Sequence, residues 1–231
     1  MNDKIQEAKW SKNVILVDAD YVDRVAFNLI VNFERMLGRR IPQADMAKWI
    51  DCVALDGGMR PSPLSPESPL SPSGSSPKGE EQETMVVMIH RKDRKGMENF
   101  VPSDYAGELD GKAFKDNLGE FTIGAYPIED IANGADFFTE ALELILAQKE
   151  VERVIVIPNA EDEHIYNKVR ATLNRADADK KLTLLAMQPM PGGNFRQEIL
   201  GYSLMAALGI KGEEVRGEKL EVREMQLKIE N

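Results

Sequence analysis

The chain has 231 residues, 42% hydrophobic and 29% charged, enough for one sizeable core and one insertion. Its formal charge of −10 argues against general affinity for nucleic acid or membrane surfaces, while leaving room for a local basic patch. Cys52 is the only cysteine, which excludes an intrachain disulfide and fits a reducing compartment.

Met1–Trp10 is polar and lacks the apolar centre of a secretory signal, and no apolar run is long enough to span a bilayer. The chain therefore reads as soluble and cytoplasmic, with no membrane partner. Asn13–Asp20 reads Asn-Val-Ile-Leu-Val-Asp-Ala-Asp. Its four unbroken apolar residues, mostly β-branched, suit a strand buried on both faces of a parallel sheet. An amphipathic helix follows over Val22–Leu37, with Gly38 as its C-cap. A second helix is expected from about Pro42 to Ala54, with Met46, Trp49, Ile50 and Val53 on one face.

From Pro61 to Pro77, 13 of 17 residues are Pro or Ser, a composition that cannot bury a core, so 61–84 is expected to be a disordered insertion. Its Ser-Pro repeats are candidate phosphorylation or docking sites. Met85–Ile89 is a second buried strand, followed by the densest basic run of the chain, His90-Arg91-Lys92-Asp93-Arg94-Lys95. At the carboxyl end of a strand, His90, Arg91, Lys92, Arg94 and Lys95 are candidates to meet nucleic-acid phosphates, against the plainer reading of a solvated loop. Residues 97–120 are weakly patterned. A short strand is expected over Phe121–Tyr126 and a helix from Asp136, a sound N-cap, with Phe137, Phe138, Ala141, Leu142, Ile145 and Leu146 as its apolar face.

Val154–Ile157 is the next buried strand, Pro158–Glu163 an acidic turn, and Ile165, Tyr166, Val169 and Leu173 mark a helix. Leu182–Met187 reads as a strand, Phe195–Leu208 as a helix, and the near-alternation of Leu220, Val222, Met225, Leu227 and Ile229 as a charged edge strand, with a helix as the alternative there. The repeated strand–helix alternation predicts an α/β fold, a three-layer α/β/α sandwich with a mainly parallel sheet. The domain is expected to span 11–60 and 85–210, interrupted by 61–84 and extended by 211–231.

In such folds ligands bind at the carboxyl ends of the strands. Two βα turns there are acidic, Asp18/Asp20 and Glu161/Asp162/Glu163, and Asp136 opens a helix just before the second. Clustered carboxylates persist when metal cations, Lys or Arg neutralise them, and an oxygen-only set suits Mg²⁺ or Mn²⁺. Such an ion activates water and steadies the leaving oxygen in phosphodiester hydrolysis. No Gly-rich phosphate loop follows either strand, which disfavours P-loop and dinucleotide sites.

A strand ending in Asp18, an Asp at the start of a late helix (Asp136) and a strand followed by an acidic turn (Asp162) resemble the NYN branch of PIN-like ribonucleases. The resemblance covers roughly 13–190 without the Pro/Ser loop. It implies a PIN/Rossmann-like sheet and a metal-dependent ribonuclease with RNA as partner. Asp18, Asp136 and Asp162 would then be catalytic and hold Mg²⁺ or Mn²⁺, with Asp20 or Glu161 completing the shell. Three positions depart from the pattern: Tyr21 stands where the family has Asn, Asn159 replaces a glycine, and Ala160 replaces one of two acids. These departures keep open a catalytically lapsed PIN-like interaction module, with a protein partner or a second copy of the chain. Asp18-Ala19-Asp20 also resembles the Asp-x-Asp of haloacid-dehalogenase-like phosphatases, which require a flexible flap where a long helix is expected here.

Overall fold

A computed structural model describes residues 3–61, 82–128 and 134–215. The expected insertion and the charged C-terminal strand therefore lie largely outside the described residues. No helix among the described residues is long and apolar enough to cross a membrane.

Strand β1 (Asn13–Asp18) is the middle strand of a seven-stranded sheet. On one side β3 (Glu83–Arg91) and β6 (Gly119–Ile128) follow in parallel, and the short β5 (Ala113–Asp116) closes that edge antiparallel to β6. On the other side lie β7 (Arg153–Ile157), β8 (Lys181–Ala186) and β9 (Arg196–Ile199), all parallel. Counted along the chain, the six parallel strands stand in the order third, second, first, fourth, fifth, sixth. The direction of winding thus reverses between β1 and β7, which opens a crevice at their carboxyl ends.

The continuous apolar run of β1 is explained by two cores. Ile15 and Val17 face one layer, packed by α2 (Ala19–Leu37), α3 (Met46–Asp56) and α6 (Leu200–Ala207). Val14 and Leu16 face the other, packed by α1 (Asp3–Gln6), α4 (Gly134–Leu146) and α5 (Glu163–Asn174). All four are at most 1% exposed, and burying each contributes roughly 1.5–3 kcal/mol. This is the α/β/α sandwich expected from the alternation of elements.

The differences are local and have physical causes. The second helix begins at Met46 rather than near Pro42, because the Asp45 carboxylate caps it by accepting from the Lys48 N–H. Residues 97–120 hold more order than their pattern suggests. They form the two-residue β4 (Phe100–Val101), which pairs with β2 (Ala44–Asp45), then a π-helical turn over Tyr105–Leu109 and the β5–β6 hairpin. The expected helix Phe195–Leu208 is instead edge strand β9 followed by the short α6. Phe195, Ile199 and Tyr202 keep helical spacing, but Arg196–Ile199 is drawn into parallel pairing with β8. Residues 212–215, at the start of the expected C-terminal extension, are helical, and the stretch read as an edge strand lies outside the described residues.

Candidate functional site

A cavity of about 570 Å³ lies at the carboxyl ends of β1, β3 and β6, with Asn159, just beyond β7, at its margin. Its floor comes from the first turn of α2. Strand β1 ends at Asp18, whose carboxylate caps α2 by accepting from the Tyr21 N–H at 3.0 Å. Because the helix starts at the next residue, Asp20, Asp23, Arg24 and Phe27 follow at helical spacing and all line the cavity. Register sets the opposite wall: Asp18 is level with Ile89 of β3, so the chain leaving β3 passes beside the acids of α2.

That segment supplies the neutralising charges. The Asp20 Oδ2 accepts from the Arg91 N–H at 2.8 Å, and the guanidiniums of Arg91 and Arg94 stand 4.0 and 3.8 Å from this carboxylate. Asp23, only 2% exposed, accepts from Arg94 Nη2 at 2.8 Å and from the backbone and side-chain N–H groups of Asn99 at 2.9 and 3.1 Å. A charge buried this deeply survives only when so engaged. Arg91 also faces Asp93 at 3.2 Å, and Arg94 faces Glu98 at 3.9 Å.

The expected basic patch therefore divides. His90 is buried, bonds the Arg91 carbonyl through Nδ1 at 2.9 Å, and stacks on Tyr105 with ring centres 3.7 Å apart. Arg91 and Arg94 turn inward to acids. Lys92 and Lys95 are exposed.

The second acidic turn behaves differently. The Asp162 carboxylate caps α5, accepting from the N–H groups of His164 and Ile165 at 2.9 and 3.2 Å. Glu161 pairs with Arg24 at 3.4 Å, both side chains about half exposed, and the same Arg24 nitrogen donates to Asn159 at 3.3 Å. Asp136 lies in the first turn of α4, bonded to Lys168 of α5, which holds its carboxyl below the usual range. Asp18 and Asp20 thus share the cavity floor, while Asp136, Glu161 and Asp162 do not line it. Among the described residues no three His, Cys, Asp or Glu side chains are gathered as a metal shell.

Burial pushes the Asp18 carboxyl up to about 6; the Asp20 charge adds to this, and the Tyr21 N–H and Arg24 offset part of it. The Tyr21 hydroxyl is held far above its ordinary pKa, mainly by burial and then by Glu161, so it stays protonated. Asp20 Oδ1 is buried with no hydrogen-bond partner in normal geometry. Above this polar floor the wall is apolar: Phe27, Ile89, Ile128, Phe138 and Ile165.

Sequence reasoning missed Asp23, Asn99 and Phe27. Asp23 carries one local signal, since it lies three residues after Asp20 and so shares its helix face. Asn99 carries none, because its position depends on how the segment after β3 folds back. A model for a family of unknown function, DUF6621, matches residues 7–215, and the chain belongs to that family. No curated protein and no solved structure matches it.

Proposed function

We propose that this DUF6621 protein is a non-catalytic α/β binding module, a lapsed member of the PIN-like class it resembles, with its ligand seated in the cavity at the carboxyl ends of β1 and β3. The observation carrying this reading is that four of the five acids expected to hold a divalent ion already have partners. Asp20 faces Arg91 and Arg94, Glu161 pairs with Arg24, Asp136 is bonded to Lys168, and Asp162 caps α5; Asp18, which caps α2, has no cation in ion-pair contact. An ion would have to displace these partners and still find too few carboxylates within reach. Ala160, in place of a second acid, supports the same reading. A phosphatase of the Asp-x-Asp kind finds no support, because Asp18 is committed to capping and α2 begins where a flap would have to start.

The metal-dependent ribonuclease remains the second reading, favoured by Asp18 and Asp20 both lining the cavity. Melting of the wild-type chain with and without Mn²⁺ or Mg²⁺, beside cleavage of single-stranded RNA by wild type and Asp18→Asn, separates the two. The module reading expects no metal-induced shift and no cleavage above the Asp18→Asn background. A shift of several degrees together with cleavage that Asp18→Asn abolishes would restore the nuclease.

A further inference from the structure

At the opposite, amino end of the sheet, arginines gather around one glycine. Arg153 opens β7 and Arg196 opens β9. Through β8 the two share a parity, Arg153 level with Lys181 and Arg196 with Thr183, so both leave the same face of the sheet. A Cβ on Gly58, in the turn after α3, would stand 3.1 Å from Arg153 Nη1 and 3.2 Å from Arg196 Nη1. Gly58 holds a φ of 84°, a left-handed conformation natural to glycine, and its missing side chain leaves the space between the guanidiniums open. Arg60 follows in the same turn, exposed, with Nη1 donating to the Met59 carbonyl at 2.7 Å.

The charges here do not balance. Arg153 gives Nη1 to the Gly57 carbonyl and Arg60 gives Nη1 to the Met59 and Leu55 carbonyls, which satisfy donors without supplying negative charge. Among the described residues neither has a carboxylate at ion-pair distance. Arg196 gives Nε and Nη2 to Glu198 and keeps Nη1 towards Gly58. Asp56 is the other acid nearby. It pairs with none of the three, and burial and then Glu198 push its carboxyl up more than Arg196 lowers it. Half-buried Arg153 has its pKa lowered, first by burial, then by Arg196 and Arg60, and Glu152 offsets less than either. No buried side-chain acceptor at this place lacks a hydrogen bond, so N–H groups and positive charge are what it presents. Like charges held together in this way favour an anion.

We propose that Arg60, Arg153 and Arg196 form a binding site for a phosphate monoester, seated over Gly58. A tetrahedral dianion accepts from donors that arrive from several sides, whereas a carboxylate offers a flat pair of oxygens and less charge. The same chemistry arises from a free phosphorylated metabolite or from a phosphoserine of the chain's own Ser-Pro stretch. Arg60 directly precedes that stretch, whose first repeat is Ser62-Pro63. Gln82, beyond its far end, donates to the Arg60 carbonyl at 2.9 Å, so the stretch leaves and rejoins the fold beside the arginines. The site lies at the other end of the strands from the acidic cavity and does not depend on what fills it.

The test is titration calorimetry on the full chain with O-phosphoserine and with a synthetic peptide of residues 61–72 phosphorylated at Ser65. Serine, the unphosphorylated peptide and succinate, a dianion built from carboxylates, are the counterparts. Binding of a phosphate ester at about 1 mM or tighter is expected, with no counterpart matching it. Arg60→Gln and Arg196→Gln, both at exposed positions, should each weaken the ester about tenfold. Arg175→Gln, at the end of α5 in the other helical layer, should leave binding unchanged. Tighter binding of the phosphopeptide than of O-phosphoserine assigns the ester to the Ser-Pro stretch. Equal or weaker binding assigns it to a free metabolite, and either result supports the proposal. Equal binding of succinate or of the unphosphorylated peptide, indifference to both arginine substitutions in folded variants, or no binding of either ester would each overturn it. The arginines would then be no more than caps on the carbonyls at the end of α3.

Discussion

Two turns of this sheet look alike in sequence, each a strand ending in several acids before a helix, yet they differ in what the fold asks of them. In the β1–α2 turn the acids go inward. Asp18 and Asp20 form the cavity floor, and Asp23 is buried against Arg94 and Asn99. In the β7–α5 turn they stay at the surface, where Asp162 caps a helix and Glu161 makes an exposed ion pair. Composition at a strand end therefore does not separate a buried polar centre from ordinary capping. What separates them is whether another segment, here 91–99, folds over with its own cations.

The largest effect that tests this contrast is the loss of Arg94. Arg94→Ala leaves Asp23 buried without its guanidinium and should cost about 3–5 kcal/mol in urea unfolding, whereas removing one partner of an exposed pair costs little. A loss under about 1 kcal/mol would show that Asp23 is solvated in solution and that the two turns are not different in kind.

The second effect has the opposite sign. The Asp18 carboxyl sits at about 6 in the fold, against an ordinary 3.8, so between those values the folded state holds a proton that the unfolded chain has released. Stability from this group is highest at low pH and is lost as pH rises through about 6. Asp18→Asn keeps a capping oxygen and removes the buried charge. It should stabilise the protein at pH 7.5 by on the order of 2 kcal/mol, with the gain fading towards pH 4. Asp51, whose carboxyl burial and the neighbouring Asp116 push to about 6, contributes wild-type pH dependence of the same sign, so the variant's difference from wild type isolates Asp18. A gain that does not change with pH would show that Asp18 is ionised throughout.

In the other turn the effects are smaller. Asp162→Ala removes the α5 cap and should cost about 1 kcal/mol, with Asp162→Asn near neutral. Glu161→Gln breaks only an exposed pair and should change stability by less than about 0.5 kcal/mol. A larger cost for Glu161→Gln than for Asp162→Ala would mean that Glu161 does more for the cleft than hold Arg24.

Much of the fold was legible because it rests on local signals. The unbroken run Val14–Val17 can only be satisfied between two layers, and the sheet places it there. The residues 195–208 misled because four of them form an edge strand whose side chains are only partly buried, so burial leaves little period to detect. At the site, Asp18 and Asp20 were readable as groups at a strand's carboxyl end. The partners of the basic run were not, since a run of charges looks the same in sequence whether it meets solvent or turns back onto acids. Asp23 and Asn99 depend on a contact between residues 76 positions apart, which no local pattern encodes.

The central position of β1 has a consequence for how the cleft moves. Its backbone amides are locked between β3 and β7, with side chains anchored in both cores, so they should exchange with solvent deuterium only when the whole domain opens. The segment joining β3 to β4 is held by isolated bonds, such as Lys92 N–H to the Ile128 carbonyl and Arg94 N–H to the Arg91 carbonyl, and these amides should exchange through smaller, cheaper openings. The floor is thus as rigid as the protein itself, and the Arg91–Arg94 side of the cavity is the side expected to open first.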